Sequence, residues 1–159
     1  MPSRVVEDMS TPDFSCRLAT GADRKAVESL DRASSEEGRL FRGVELLDES
    51  LGSFASRWPA SMMSDEMPFF VVVEQQEIIG FASLDRAAKP RPLLTRIYVT
   101  PRARELGAGA ALLNYVTAHA VHEGADGIDA LSLPGDRETK NLYERQGMKA
   151  RLIIASRTT

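Results

Sequence analysis

Val99-Thr100-Pro101-Arg102-Ala103-Arg104-Glu105-Leu106-Gly107-Ala108-Gly109-Ala110 is the stretch on which the reading of this chain turns. A β-rich run, Leu93 to Val99, leads into it, and Pro101, which cannot donate to a sheet ladder, stops the strand. Beyond the glycines, Leu112, Leu113, Val116 and Ala120 recur at helical spacing and predict an amphipathic helix over 107–123, with Gly124 as its C-cap. The first amides of a helix have no intrahelical partner, and the helix dipole adds positive potential there. Glycines remove the Cβ atoms that would hold a ligand away. A strand, a glycine turn and a helix start therefore make a cradle for a diphosphate, and Arg104 adds a cation at its entrance. Two other phosphate motifs are excluded. A nucleotide P-loop needs Gly-Lys-Ser/Thr, and Gly109 is followed by Ala110 and Ala111. A dinucleotide fingerprint needs a small residue where Leu112 stands, and it belongs in the first βα turn of its domain.

Working outward, Phe69-Phe70-Val71-Val72-Val73 and Ile78 to Leu84 are β-rich runs separated by Glu74-Gln75-Gln76-Glu77, which predicts a hairpin. With Leu93 to Val99 they form an antiparallel meander. Upstream, a strand over 14–19 runs into Thr20-Gly21-Ala22-Asp23, a capping box that opens a helix carrying Ala26, Val27 and Leu30. Val44, Leu47, Leu51 and Phe54 share one face of a second helix over 43–56, ended by Trp58-Pro59. Downstream come a strand over 128–133, a Pro134-Gly135 turn, a helix over 137–146 ended by Gly147, and a closing strand over 150–156. The strands before and after the long helix should lie parallel. The fold class is α/β (α+β): a mixed, mostly antiparallel sheet of about six to seven strands flanked by about four helices.

The chain has 159 residues, one domain's worth, with 43% hydrophobic and 27% charged residues. A formal net charge of -3 gives no basic excess for a nucleic-acid partner. No apolar run approaches a membrane span or a signal peptide, so the expected location is cytoplasmic, with neither nucleic acid nor membrane as partner. Residues 1–12, polar with two prolines, are expected to be a flexible tail. Cys16, the lone cysteine, sits in a strand and reads as a small buried hydrophobe. His119 and His122 share a helix but lack a third ligand, so no metal site is expected.

The turn and a second segment together resemble a known family. Arg104-Glu105-Leu106-Gly107-Ala108-Gly109 is similar to the Arg/Gln-x-x-Gly-x-Gly/Ala pyrophosphate loop of the GNAT superfamily of N-acetyltransferases, with Val99-x-Pro101 as its usual lead-in. Asn141-Leu142-Tyr143-Glu144-Arg145-Gln146-Gly147-Met148 resembles that family's second signature, in which Met148 takes the place of a phenylalanine. Element order and spacing agree from 14 to 156, so 13–159 is expected to be a single N-acetyltransferase domain.

The resemblance implies the following roles. Acetyl-CoA is the co-substrate, and no metal is used. The backbone of Ile97, Tyr98 and Val99 pairs with the pantetheine arm as an added strand would. Amides from Leu106 through Gly107, Ala108 and Gly109 to Ala110 hold the pyrophosphate beside Arg104, and the Val99 amide polarises the thioester carbonyl. Tyr143 protonates the departing thiolate. An amine, small-molecule or peptide, attacks the acetyl carbonyl directly. Transfer of a longer acyl chain, or acyl-CoA binding without turnover, would use the same motifs. Dimers are common in similar proteins, so a homodimer is an allowed assembly. The strand before the loop lacks the glutamate some relatives carry there. Glu36, Glu37, Glu45 and Asp48 border the acceptor side, where one could act as base through a water. Glu105 stands where glycine is common and is expected to face solvent. Asp136 stands near the place of a pantetheine-binding asparagine. Arg39 and Arg42 read as solvated surface, and Trp58 as an anchor of the helical cover.

Overall fold

A run as apolar as Phe69 to Val73 can be a strand only if both its faces are covered, and in the computed structural model of the chain they are. The structure describes residues 13–63 and 65–159, so the expected tail at 1–12 lies outside the described residues. Five strands form one sheet in the order β1 (Phe14–Leu18), β2 (Phe69–Glu74), β3 (Glu77–Asp85), β4 (Leu93–Val99) and β5 (Asp129–Ala130). The first three pairings are antiparallel, as the meander requires, and β4–β5 is parallel.

Side chains alternate across β2. Phe70 and Val72 pack under a long helix, α5 (Ala108–His122), with Leu112, Leu113, Val116 and Ala120, each at most 1% exposed. Phe69 and Val71 face the other way. They pack against Val27 and Leu30 of α1 (Arg24–Gly38) and against Phe54 and Trp58 of α3 (Phe54–Met63). Three layers result, with the sheet in the middle. The Phe54, Trp58 and Phe69 rings pack with centroids 5.3–5.9 Å apart, so Trp58 anchors the helical cover. Cys16 packs against the α5-side core, and burial pushes its thiol pKa up, away from the reactive thiolate.

Thr20 and Asp23 form the expected capping box: the Thr20 amide donates to the Asp23 carboxylate at 2.7 Å, opening a 3-10 turn (Gly21–Asp23) ahead of α1. The single helix expected over 43–56 is two, α2 (Val44–Leu51) and α3, and Pro59 lies inside α3 rather than ending it. Gly52, at φ +73° and ψ -172°, takes a positive-φ extended conformation that breaks the helix, and the Ser53 hydroxyl accepts from the Ser56 amide to start the next. Apolar spacing carried across that break, but the Gly-Ser pair was its signal.

Two further expectations need correction. The strand over 128–133 shortens to Asp129–Ala130, and 150–156 forms no strand, so among the described residues the sheet has five strands rather than six to seven. Leu152, Ile153 and Ile154 are 82%, 84% and 73% exposed. A β-prone sequence becomes a strand only where a partner supplies a ladder, and among the described residues nothing pairs with this one. The described helices number six, not four, with the short α4 (Pro101–Arg104) before α5 and α6 (Arg137–Arg145) after β5. Among the described residues no helix is long and apolar enough to cross a membrane.

Candidate active site at the open edge of β4

Strand β4 is paired with β3 from Leu93 to Val99, but with β5 only at Leu93 and Leu94. The Leu131 amide makes one more bond, to the Leu94 carbonyl at 3.1 Å, and then the chains part. A bulge on β4 between Leu94 and Arg96 falls where the separation begins. Successive amides of a strand point to opposite sides. The Thr100 amide donates to Ile79 on the β3 side, so the Val99 and Ile97 amides face the gap. A cavity of about 340 Å³ fills it, lined by β4 from Thr95 to Val99, by Leu131 to Leu133 and by α6.

At the far end of the gap stands the start of α5. Gly107 is its N-cap at φ +90°, and no side chain caps the helix. A Cβ at Gly107 would meet nothing within 4 Å, so the turn opens on free space. The amides of Ala108, Gly109 and Ala110 are the helix's first and have no intrahelical acceptor. Gly109 packs beneath Leu142, which approaches its position to 3.2 Å and holds α6 against α5. Leu106 is 43% exposed, and Glu105 faces solvent.

Arg104 is not free at this mouth. Its Nε donates to the Val99 carbonyl at 2.9 Å, and its two Nη groups donate to Glu37 at 2.8 and 2.7 Å. Glu138 of α6 takes a further bond, and the guanidinium lies 5.2 Å from the Tyr98 ring centroid. Hydrogen bonding to Arg104 lowers the pKa of Glu37, and the Glu37 carboxylate raises that of Arg104. Tyr98 is raised, first by burial and then by the Glu37 charge.

Tyr143 stands on the cavity wall, 8% exposed, and its hydroxyl donates to the Leu131 carbonyl at 2.8 Å. Burial raises its pKa well above the usual phenol value, with Asp136 adding to the rise, so the proton is held. Asp136 caps α6, its carboxylate accepting from the Thr139 amide at 3.1 Å.

The structure also brings in residues that the sequence reading passed over. Arg96 is 7% exposed and lines the cavity. It donates to Asp31, Ser35 and Asp48, each at 3.0 Å. Asp31 also takes the Arg57 Nη2 at 3.0 Å on both oxygens. Arg57 Nε and Nη1 have no hydrogen-bond partner among the described residues, and the guanidinium lies 5.8 Å from the Phe69 ring centroid. Asp31 is 65 positions from Arg96, a pairing no local pattern announces, although three charged groups inside apolar periodicity were a hint. Of the acidic candidates, Glu37 reaches the cavity, Asp48 is tied to Arg96, and Glu36 and Glu45 are exposed. His119 stacks edge-on against Phe70 at 5.0 Å, and burial lowers its pKa. Among the described residues no group of three or more His, Cys, Asp or Glu side chains could hold a metal ion.

Comparison with known proteins bears on the family and the fold. The profile of the Acetyltransferase (GNAT) family matches residues 28–148. The chain belongs to that family. It is accordingly an acyltransferase whose co-substrate is acetyl-CoA. No curated protein matches the chain by sequence. Solved structures share its fold at low identity. The aminoglycoside acetyltransferase AAC(6')-Iy, in complex with a CoA-S-monomethyl-acetylneamine bisubstrate analogue, is 15% identical with a TM-score of 0.67, covering 92% of this chain and 99% of that one. Aminoglycoside 6'-N-acetyltransferase AAC(6')-IG from Acinetobacter haemolyticus is 13% identical at 0.65, covering 91% and 99%. A putative acetyl transferase from Pyrococcus furiosus is 23% identical at 0.64, covering 92% and 100%.

Proposed function

We propose that this chain moves an acetyl group from acetyl-CoA to a primary amine on a small molecule, using the gap between β4 and β5 as the cofactor channel. The observation that carries the reading is the β4 edge, open from Thr95 to Val99 and ending at an uncapped helix start. An extended pantetheine arm can hydrogen-bond to the Ile97 and Val99 backbone as an added strand does, with Tyr98 facing β3 between them. The diphosphate then falls at the amides of Leu106, Gly107, Ala108, Gly109 and Ala110, beside Arg104. The Val99 amide polarises the acetyl carbonyl.

The amine nitrogen attacks that carbonyl carbon, a C–N bond forms, and the C–S bond breaks. The proton lost by nitrogen balances the proton gained by sulfur. Tyr143 donates its hydroxyl hydrogen bond to the sulfur as charge develops there. A phenol with a pKa raised by burial gives up its proton reluctantly, so its part is to stabilise the thiolate and relay a proton. The Leu131 carbonyl holds the hydroxyl until the sulfur arrives. Of the acidic residues expected to border the acceptor side, Glu37 lines the cavity, with both of its oxygens held by Arg104. A small cationic acceptor is supported by the amine-bearing ligand that AAC(6')-Iy holds in its complex.

Turnover measured with acetyl-CoA against a panel of polyamines, amino sugars and peptides tests this. Tyr143→Phe should lower kcat on the order of 10²-fold with little change in KM for acetyl-CoA. An unchanged kcat across the full pH range removes Tyr143 from the chemistry. Calorimetry showing no acetyl-CoA binding would overturn the reading as a whole.

A further inference from the structure

Glu37 and Arg104 each have the chemistry to hold a substrate group, and each spends it on the other. A carboxylate on the cavity wall can pair with an ammonium, and a guanidinium beside a helix start can pair with a diphosphate. The two Glu37 oxygens instead take Arg104 Nη1 and Nη2, at 2.8 and 2.7 Å. Nη1 also serves Glu138, and Nε serves the Val99 carbonyl at 2.9 Å, so four of the five guanidinium N–H groups are taken. That carbonyl points the same way as the Val99 amide, toward the gap. Arg104 therefore bridges the open edge of β4 to the end of α1, and Glu37 has no oxygen left unpaired for an acceptor.

We infer that Glu37 is the site for the acceptor's ammonium group, masked by Arg104 until the cofactor's diphosphate draws Arg104 away. The inference rests on the acetyl-transfer reading above and adds to it a residue and a coupling. The exchange is cheap, because the Arg104 and Glu37 side chains are 22% and 33% exposed and water screens the pair. A diphosphate offers the guanidinium the same two-oxygen geometry with more charge. What remains is a half-buried carboxylate that has lost its cation. Tyr98 stays with it: its hydroxyl hydrogen-bonds Glu37, while its ring lies 5.2 Å from the Arg104 guanidinium. An ammonium then restores the missing charge. Couplings of this kind are reciprocal, so cofactor and amine each tighten the binding of the other. Hydrogen bonding to Arg104 is also what chiefly holds the Glu37 carboxyl below its usual range, so losing Arg104 must raise it. The groups facing Glu37 are Arg104 of α4 and Tyr98 of β4, with Glu138 of α6 beyond Arg104.

Carbon NMR of the Glu37 carboxyl in the full chain, assigned by its loss in Glu37→Gln, tests the inference. Saturating CoA should move the carboxyl's titration up toward the ordinary value, and pantetheine, which lacks the diphosphate, should not. Butylammonium titrated against the same signal should bind about 5-fold tighter or more with CoA present than without it. Arg104→Gln should bind butylammonium without CoA as tightly as the parent does with it, and CoA should then add nothing. If CoA binds by calorimetry and the Glu37 carboxyl does not respond, the exchange is overturned while the acetyl-transfer reading stands. Equal butylammonium affinity with and without CoA overturns it too, as does an equal response to pantetheine. Absence of any CoA binding overturns both.

Discussion

Arg96 and Arg104 sit eight positions apart, each between two carboxylates, and they do opposite work. Arg96 is shut in: its side chain is 6% exposed and its partner Asp31 is 9% exposed. Arg104 stands at a cavity mouth: it is 22% exposed, with Glu37 at 33% and Glu138 at 68%. A buried pair has exchanged water for its partner and cannot release it cheaply. A pair at a mouth can, because water and a competing anion are at hand. The first arrangement fixes α1, α2 and α3 onto β4. The second holds a cation ready beside the helix start where a diphosphate would bind. Two similar ion clusters thus divide into one that is shut away from water and one that water reaches.

The largest effect should follow from breaking the closed cluster. Asp31→Ala leaves the Arg57 and Arg96 guanidiniums buried without their shared carboxylate. The expected loss is about 3–5 kcal/mol of unfolding free energy, read from urea melts. Glu37→Ala at the mouth should cost about 1 kcal/mol or less. Equal losses at the two sites would erase the distinction between the arginines.

A third arginine tests the middle ground. Arg17, 44% exposed, holds Asp23, 9% exposed, through bonds of 2.6 and 3.0 Å. Its hydrogen bonds, with that from the Thr20 amide, pull the Asp23 pKa from 3.8 to about 2. A depressed carboxylate pKa stabilises the fold in full above its unfolded value and loses that contribution as pH falls through the folded one. Stability should therefore drop by about 1–2 kcal/mol between pH ~4 and ~2, the exposed side of the pair moderating the figure. Asp23→Asn should flatten that limb of a pH-resolved melting curve. A limb of unchanged depth would assign it to other carboxylates.

What was legible in the sequence follows the same division between local and distant. The meander, α5 and the glycine turn were readable because each rests on short-range periodicity and on Pro101, Gly107 and Gly124. The Arg-x-x-Gly-x-Gly segment and Tyr143 stand out in the sequence, and both border the cavity beside β4. The split between α2 and α3 was written in Gly52-Ser53, but the apolar positions run on through it. Asp31, Arg57 and Arg96 could not be paired from the sequence because their meeting depends on how the helices cross the sheet. Arg104 was legible as a cation at the entrance, but nothing near it in sequence announces Glu37, 67 positions away. The segment 150–156 has the composition of a strand, but a strand's existence depends on an edge that composition does not locate.

The smallest expected effect probes that exchangeable cluster most directly. Glu138 is the more exposed of the two carboxylates on Arg104, and an anionic ligand at the mouth must compete with it. Glu138→Gln keeps the shape and removes the charge. Stability should change by about 0.5 kcal/mol or less, since exposed pairs contribute little. Acetyl-CoA should bind about 2–5-fold tighter by calorimetry at low salt, the gain shrinking as ionic strength rises and screening takes over. Weaker binding would mean that Glu138 positions Arg104 for the diphosphate rather than competing for it. Arg104 would then be held in place as Arg96 is, and the contrast between them would reduce to exposure alone.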